Sequence, residues 1–422
     1  MAVTDDSSSR KYGIVVLGAS GYTGRLVCSR IAATFPTDFK WAIAGRSADR
    51  LNQVAAQLKK EYPDRVQPEL KVVAPNDTQR LWEVIGRAKV CISAVLYAVD
   101  GESIVRACVE QRTDYVDCNP IPTICRDWID KFDEQAKERG VALIEACGVR
   151  SGLMDLVAIH ACREIAQKWS TQMGNMTMRI DLPETDVSGG TVRTMLAFAS
   201  KGSEALAAAA QPSFLSPIPY TNSLETVRGI HKNALLGTLS NSSPGIDQMR
   251  GLVLRSWGLL GGPKGGWGPN FRYNEYEKAD SYVGAVLNMV RCYAMLNLLV
   301  LAQYTWFRNL VLRSARSLGT GPSEEDLKSQ PLTMAAFIEA DPRVEKNRGK
   351  GCLVELKFAD GGYPLSALLM AQAAATLLYD RNLPKGIEGG CLTAGVLGPG
   401  FVDRVASGGL DIKTTLVEGY QG

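Results

Sequence analysis

Two rhythms of apolar residues divide the chain. From residue 13 to about residue 150, short apolar runs rich in β-branched residues alternate with longer segments whose apolar positions recur at helical spacing. The strand-like runs fall at 13–18, 40–44, 70–74, 89–95, 114–118 and 141–146, and the helical segments near 22–33, 48–61, 78–87, 101–111 and 127–139. Helices of this length between successive strands specify βαβ crossovers and a parallel sheet covered on both faces. Six such strands predict an α/β fold: a Rossmann-type doubly wound sheet over residues 13–150, preceded by a flexible tail at 1–12.

Beyond Gly148 the rhythm changes. A helix is expected over 153–165 and an alternating strand over 176–182, followed by a long irregular stretch rich in Gly, Ser and Pro from about 202 to 274. The run GGPKGGWG at 261–268 must be a loop, because so many glycines are costly to hold in a helix or strand. A strand at 352–358, a turn at 360–362 and a helix at 365–379 come later. These signals predict a second, mixed α/β domain for substrate binding and dimerisation over 151–390, with a C-terminal segment, 391–422, packing back on the first domain. A homodimer is compatible with that arrangement.

The segment 283–312 stands apart. It is strongly apolar, and 292–307 carries no charge, yet that uncharged stretch is shorter than the roughly 20 residues a bilayer span requires. Arg291, Arg308, Arg313 and Arg316 flank it, with Trp306 and Phe307 at one end. Two readings stand level: a helix lying against a membrane or lipid droplet surface, and a buried helix or wall of an apolar substrate pocket. A transmembrane span ranks third.

The densest chemical signal is GASGYTG at 18–24, where an apolar strand meets a helix. Gly18 permits the tight turn, Gly21 lets the backbone approach a pyrophosphate, and Gly24 lets the helix pack on the strand. The helix N-terminus offers N–H groups and positive partial charge to phosphates, and Ser20, Tyr22 and Thr23 can add hydroxyl donors. At the end of the second strand the sequence reads Gly45-Arg46-Ser47, with no acid before Asp49. An acid there would accept from a ribose 2′-OH, whereas an arginine answers a 2′-phosphate, so NADPH is the expected cofactor. The fourth strand leads through Ala94 to Tyr97 at the carboxyl edge of the sheet. Ala94 and Tyr97 are therefore expected against the cofactor, Tyr97 as an aromatic lid or as a proton donor.

Composition narrows the field further. Lys and Arg number 47 against 44 Asp and Glu, a net charge of +3, so no basic excess points to nucleic acid. The ten cysteines form no CxxC pair, which suits a reduced, cytoplasmic protein peripheral at most to membranes or lipid droplets. With two histidines, His160 and His231, neither a metal site nor a histidine-based triad is expected.

Read together, these motifs resemble the saccharopine dehydrogenase-like oxidoreductase family over nearly the whole chain. The residues that carry the resemblance are GASGYTG at 18–24, AGRS at 44–47, Leu96-Tyr97 through Glu102, and 104–110. To these are added Tyr115–Cys118, Gly190-Thr191, Gly362-Tyr363-Pro364 and 370–378. The resemblance implies an NADPH-dependent reductase. One branch acts on amino-acid imines; the other holds lipid- or droplet-associated proteins and trans-acting enoyl reductases that serve polyketide synthases. Two departures bear on the branch: Val95-Leu96 stands where relatives carry Gly-Pro, and 148–155 replaces an Asp-containing turn. An amino-acid substrate with several carboxylates also calls for a dense cationic cluster, and the middle of the chain offers only Arg150, Arg193 and Arg272. The favoured expectation is hydride transfer to an activated C=C of a small apolar or carrier-bound intermediate, polyketide or terpenoid. Tyr97, Arg150 and Thr191 are the candidates for proton donation and enolate stabilisation. The alternatives are an imine or ketone reductase of amino-acid metabolism, and a non-catalytic NADPH-binding protein at a membrane or droplet.

Overall fold

Strands with apolar side chains on both faces are stable only between two layers of helix, and the first half of the chain builds that sandwich. The computed structural model describes residues 10–181, 187–243 and 245–420. Its first sheet contains β1 (Tyr12–Leu17), β2 (Trp41–Gly45), β3 (Glu69–Val72), β4 (Ala88–Ser93), β5 (Asp114–Asp117) and β6 (Ala142–Glu145). The crossovers are α1 (Tyr22–Thr34), α2 (Ala48–Glu61), α3 (Thr78–Gly86), α4 (Glu102–Glu110) and α5 (Pro122–Glu138). All six strands end within two residues of the expected positions. Helix α5 starts earlier than the periodicity suggested, because Pro122 at its first position is already shaped for a helix.

The second half runs through α6 (Gly152–Trp169), β7 (Met173–Asp181), α7 (Gly189–Ala199), α8 (Ser203–Ala209), β8 (Ile230–Asn233), β9 (Gly237–Ser240) and α9 (Ile246–Leu259). There follow β10 (Arg272–Ala279), α10 (Tyr282–Leu301), α11 (Thr305–Ser314), α12 (Glu324–Ser329), β11 (Leu332–Ala340) and β12 (Gly351–Phe358). The chain closes with α13 (Gly362–Tyr379), β13 (Gly390–Thr393), α14 (Gly398–Ser407) and β14 (Asp411–Val417). The expected strand at 176–182 ends on Leu182, and most of the 1–12 tail precedes Arg10; both lie outside the described residues.

The first sheet has the order β13-β6-β5-β4-β1-β2-β3, parallel throughout, with the order reversing between β1 and β4. That reversal opens a crevice beyond the carboxyl ends of β1 and β4. The second sheet, β14-β12-β11-β7-β10-β9-β8, is mixed: β7 pairs parallel with β10 and antiparallel with β11. One apolar core joins the two sheets, from Ile14 and Val27 through α6 and α13 to Met176, Ile338 and Val354. Because α13 packs on α1, β4 and β5, the second domain fixes its position directly on the cofactor domain.

Three expectations are corrected. The 202–274 stretch is not irregular throughout: it holds α8, the β8–β9 hairpin and the buried helix α9. Polar residues hid it. Arg250 is buried against Tyr273 O and Asn274, and Arg255 donates to Leu215 O and Cys391 O, so cations sit inside with their hydrogen bonds made. The segment 391–422 divides between the sheets, since β13 extends the first while β14 pairs antiparallel with β12 in the second. Finally, α10 and α11 are not a buried helix. Ala285 is the buried residue of α10, and α11 has none.

Candidate functional site

The glycines of the first loop are dictated by clearance. Gly18 has φ +75°, and a Cβ there would stand 2.5 Å from Ala94 O. A Cβ on Gly24 would lie 2.1 Å from Gly18 O, so any side chain would push α1 off β1. Gly21 N–H closes the turn on Gly18 O at 2.8 Å and leads into α1, whose first turn carries no acid. The arrangement fits a pyrophosphate: a close backbone approach, followed by a helix N-terminus with N–H groups lacking intrahelical partners. Ser20, Gly21, Tyr22 and Thr23 line a cleft of about 530 Å³ that starts here. The Tyr22 hydroxyl is engaged elsewhere: it donates to Pro322 O at 2.9 Å, and its ring meets Tyr363 edge-on at 5.1 Å. Burial, with Tyr363 beside it, pushes that phenol up to about 12.

At one end of the cleft stand Arg46, Arg50, Val73, Pro75 and Leu81. Ser47 caps α2, its Oγ accepting from Arg50 N at 3.3 Å, which sets both arginines at the start of the helix. Arg50 was not among the sequence candidates; its position one turn after Arg46 was the available signal. Across from them Asp100, on a π-helical turn at Tyr97–Gly101, has a carboxyl raised by burial and drawn back down by the Arg46 charge. Replacing Arg46 with alanine is expected to raise KM for NADPH by roughly 10- to 100-fold, the worth of a charge-assisted phosphate contact. NADH should be barely affected, and steady-state kinetics with both cofactors would reject the assignment if both lost equally.

The other end is where α6, α7 and α13 begin. Tyr97 lines the cleft, but its hydroxyl donates to Ser93 O at 3.0 Å and meets Cys118 N and Sγ at 3.3 Å. Burial, and then the neighbouring Cys118 and Asp117, raise that phenol well above its ordinary value. The proton-donor expectation for Tyr97 therefore gives way to the aromatic one, and the Tyr97 hydroxyl pins β4 to β5. Arg150 also lines the cleft, and its Nη2 is 2.8 Å from Glu275 Oε1, a carboxylate with no solvent exposure. Glu275 also accepts from Ser243 and, at 2.8 Å, from Tyr273. The charge of Arg150 is thus balanced inside the protein.

Thr191 belongs to a group of hydroxyls that sequence reading did not assemble. Tyr363 Oη is 2.8 Å from Thr191 Oγ1 and accepts from Ser188 N at 2.8 Å; Ser188 Oγ lies 3.0 Å from Thr191 Oγ1 and caps α7. Tyr363 is the second residue of α13, so two helix N-termini meet around these hydroxyls. All three residues line the cleft, together with Ala94, Val95, Leu96, Val149, Val187, Met195, Met295 and Leu318. The motif Gly362-Tyr363-Pro364 was visible in the sequence, but nothing local places it 175 residues away against Ser188.

The site is that of an NADP-dependent oxidoreductase: a phosphate-binding loop at a sheet's switch point, an arginine pair beyond the second strand, and a hydroxyl cluster at the far end. Comparison with known proteins agrees. Residues 14–144 match the family model described as saccharopine dehydrogenase NADP binding domain. The chain is 26% identical over 442 residues to saccharopine dehydrogenase-like oxidoreductase of Mus musculus, covering 96% of this chain and 98% of that protein. It is 26% identical over 438 residues to a trans-acting enoyl reductase of Mycobacterium tuberculosis H37Rv, covering 97% and 99%. A solved saccharopine dehydrogenase (L-Glu forming) from Saccharomyces cerevisiae aligns over 95% of this chain and 99% of its own, at 13% identity and a TM-score of 0.46.

Proposed function

We propose that the protein reduces an activated C=C of an apolar, lipid-like acyl intermediate, of polyketide or terpenoid type, free or held on a synthase carrier. The observation that carries this reading is the placement of charge. Among the described residues lining the cleft, Arg46, Arg50 and Asp100 stand at the 2′-phosphate end, while Arg150 at the other end is paired with Glu275. An amino-acid imine with several carboxylates would find no unbalanced cation there, and desolvating it would be costly. Val95, Leu96, Val149, Val187, Met195 and Met295 suit an acyl chain. The name trans-acting enoyl reductase, borne by relatives, supports an enoyl group brought by a partner such as a polyketide synthase.

NADPH, when bound, would supply the hydride; Gly18, Gly21 and the start of α1 would hold its pyrophosphate, and Arg46 and Arg50, which line the same cleft, its 2′-phosphate. The chain itself must stabilise the charge that develops on the substrate's carbonyl oxygen and deliver a proton to the α-carbon. The Tyr363 hydroxyl is placed for the proton, with Thr191 and Ser188 behind it as a chain of exchangeable hydroxyls. The N-termini of α7 and α13 favour the negative charge left on the phenol. NADPH oxidation measured side by side with a long-chain enoyl thioester, an enone and an amino-acid imine should favour the unsaturated substrates by at least about 100-fold in kcat/KM, roughly the worth of one unpaired desolvated carboxylate. Preference for the imine would reject the reading.

A further inference from the structure

Helix α10 lies on the outside of the second sheet, fastened along its inner side. Asn288 Nδ2 donates to Lys278 O at 3.1 Å, and the charge of Arg291 is balanced by Glu277 of β10. The opposite side is apolar and exposed, and Ala285 is the buried residue of the helix. A helix of 20 residues owes most of its stability to the face it packs, so α10 is under-packed in the single chain. From 38% at Leu301 to 70% at Tyr282, its exposed side chains, with Trp306 and Leu310 of α11, offer on the order of the 800 Å² per partner that a stable dimer buries.

The exposed side has the spacing of a helix–helix seam. Val283, Leu287, Val290, Ala294, Asn297 and Leu301 follow one another at alternating intervals of four and three residues. The first three are 68%, 62% and 59% exposed. The polar residue of the row is served within its own helix, Asn297 Nδ2 donating to Tyr293 O at 2.7 Å. These intervals read the same from either end, so a second copy laid antiparallel matches the row position for position. The charges at the two ends agree. Asp280, its side chain 91% exposed, precedes the helix, and Arg308 stands at the far end, donating to Ala302 O at 2.9 Å and Gln303 O at 2.8 Å. An antiparallel pair lays each aspartate beside the other copy's arginine. A parallel pair would set like charge on like, and an anionic lipid surface would repel the aspartate.

We propose that the protein is a two-fold dimer built on antiparallel α10 helices, in which Val283 faces the partner's Leu301, Leu287 the partner's Asn297 and Val290 the partner's Ala294. The seam bears on the cleft because α10 is one of its walls. Met295 lines the cleft from the inner side, and Leu299 and Ala302 pack with Leu196 and Ala199 of α7, the helix that carries Thr191. Each copy's α10 thus presses the other against its own cleft, and pairing completes the hydroxyl end of the site. None of this depends on which substrate the cleft takes.

The test is analytical ultracentrifugation of the full-length protein at low ionic strength. Wild type is expected to sediment at twice the chain mass at low micromolar concentration. The Leu287→Asp/Val290→Asp variant would bury unpaired carboxylates in the seam, and its dimer dissociation constant should rise at least about 100-fold. Charge exchange tests the direction of pairing. Asp280→Lys and Arg308→Glu should each dimerise about tenfold more weakly alone, whereas an equimolar mixture of the two should regain wild-type affinity, because every opposition in the mixed pair is again between unlike charges. Hydrogen exchange over 189–199 is expected to quicken in the double aspartate variant, reporting the loosened wall. A monomeric wild type overturns the proposal, and so does a dimer that the aspartates leave intact. A mixture no tighter than its components overturns the antiparallel arrangement. Unchanged exchange in a monomeric variant overturns the link to the cleft. Flotation of a monomeric wild type with vesicles of phosphatidylcholine and phosphatidylserine would make lipid the occupant and overturn the dimer.

Discussion

Substituting phenylalanine for Tyr363 is expected to lower kcat for enone or enoyl reduction by about 100- to 1,000-fold, within the usual range for loss of a general acid, with little change in NADPH affinity. The phenol sits where α7 and α13 begin, 2.8 Å from both Ser188 N and Thr191 Oγ1. The backbone N–H holds the oxygen in place and the threonine hydroxyl connects it to Ser188 Oγ. Loss of the hydroxyl removes the proton source but leaves the Tyr22 ring contact intact, so the cofactor loop should keep its shape. Thr191→Val is a control of a different kind. As a positioning residue its loss should cost less in kcat and shift the alkaline limb of the kcat profile, with Thr191→Ser restoring both. Tyr97→Phe is expected to leave kcat within about threefold, since one buried hydrogen bond to the β4 end is worth on the order of 1 kcal/mol. Stopped-flow and steady-state rates on the four variants decide the matter. A Tyr363→Phe enzyme with wild-type kcat would place the proton elsewhere.

The second large effect concerns pH. Four carboxyls are buried: Asp114 where β5 begins and Asp117 where it ends, each pushed up to about 6, Asp155 in the first turn of α6, to about 7, and Glu145 at the end of β6, to about 8. Desolvation is the main cause in every case, reinforced for Glu145 by the Asp117 charge and opposed by Arg255. A carboxyl whose folded value is raised binds its proton more tightly in the native state than in the unfolded chain. Its contribution is therefore favourable at low pH and is lost as pH rises from the unfolded value, 4.5 for Glu145, through the folded one. The wild type should lose stability steadily between about pH 5 and pH 8, with about 1.4 kcal/mol per pH unit from each titrating group. Glu145→Gln keeps the shape and removes one titration. It is expected to match wild type near pH 5 and to exceed it by several kcal/mol above pH 8 in urea unfolding. Parallel stability profiles for the two proteins would show that Glu145 does not carry the effect.

The parts of the fold that could be read directly share one property: their side chains follow a single rule along the segment. Strands β1 and β2 are apolar throughout because helices cover both faces, and GASGYTG announces its turn within seven residues. Strand β10 and helix α9 break the rule. Arg272, Asn274 and Glu275 are buried in β10, as Arg250 and Arg255 are in α9, each satisfied by neighbours distant in sequence. A pattern that equates polar with exposed cannot find such elements. The site divides in the same way. The phosphate loop and Arg46 lie within thirty residues of each other and were legible. The hydroxyl cluster of Ser188, Thr191 and Tyr363 exists only after α13 folds onto the first sheet, whereas Tyr97 is visible at the end of its own strand. The exposed apolar hairpin was legible in composition but not in placement, because an apolar helix reads alike whether it faces a core or a lipid.

The outermost strand of the cofactor sheet, Gly390–Thr393, is delivered after the whole second sheet except β14 has been made. A nascent chain that has cleared the ribosome through residue 150 holds every phosphate ligand yet leaves the β6 edge open, with its N–H and C=O groups exposed to any other strand. Vectorial synthesis therefore cannot complete the cofactor domain first and the second sheet afterwards; the two must close together once β13 has emerged. A deletion that removes residues 390–393 takes away an edge strand of the dinucleotide domain, far in sequence from the loop that holds the phosphates.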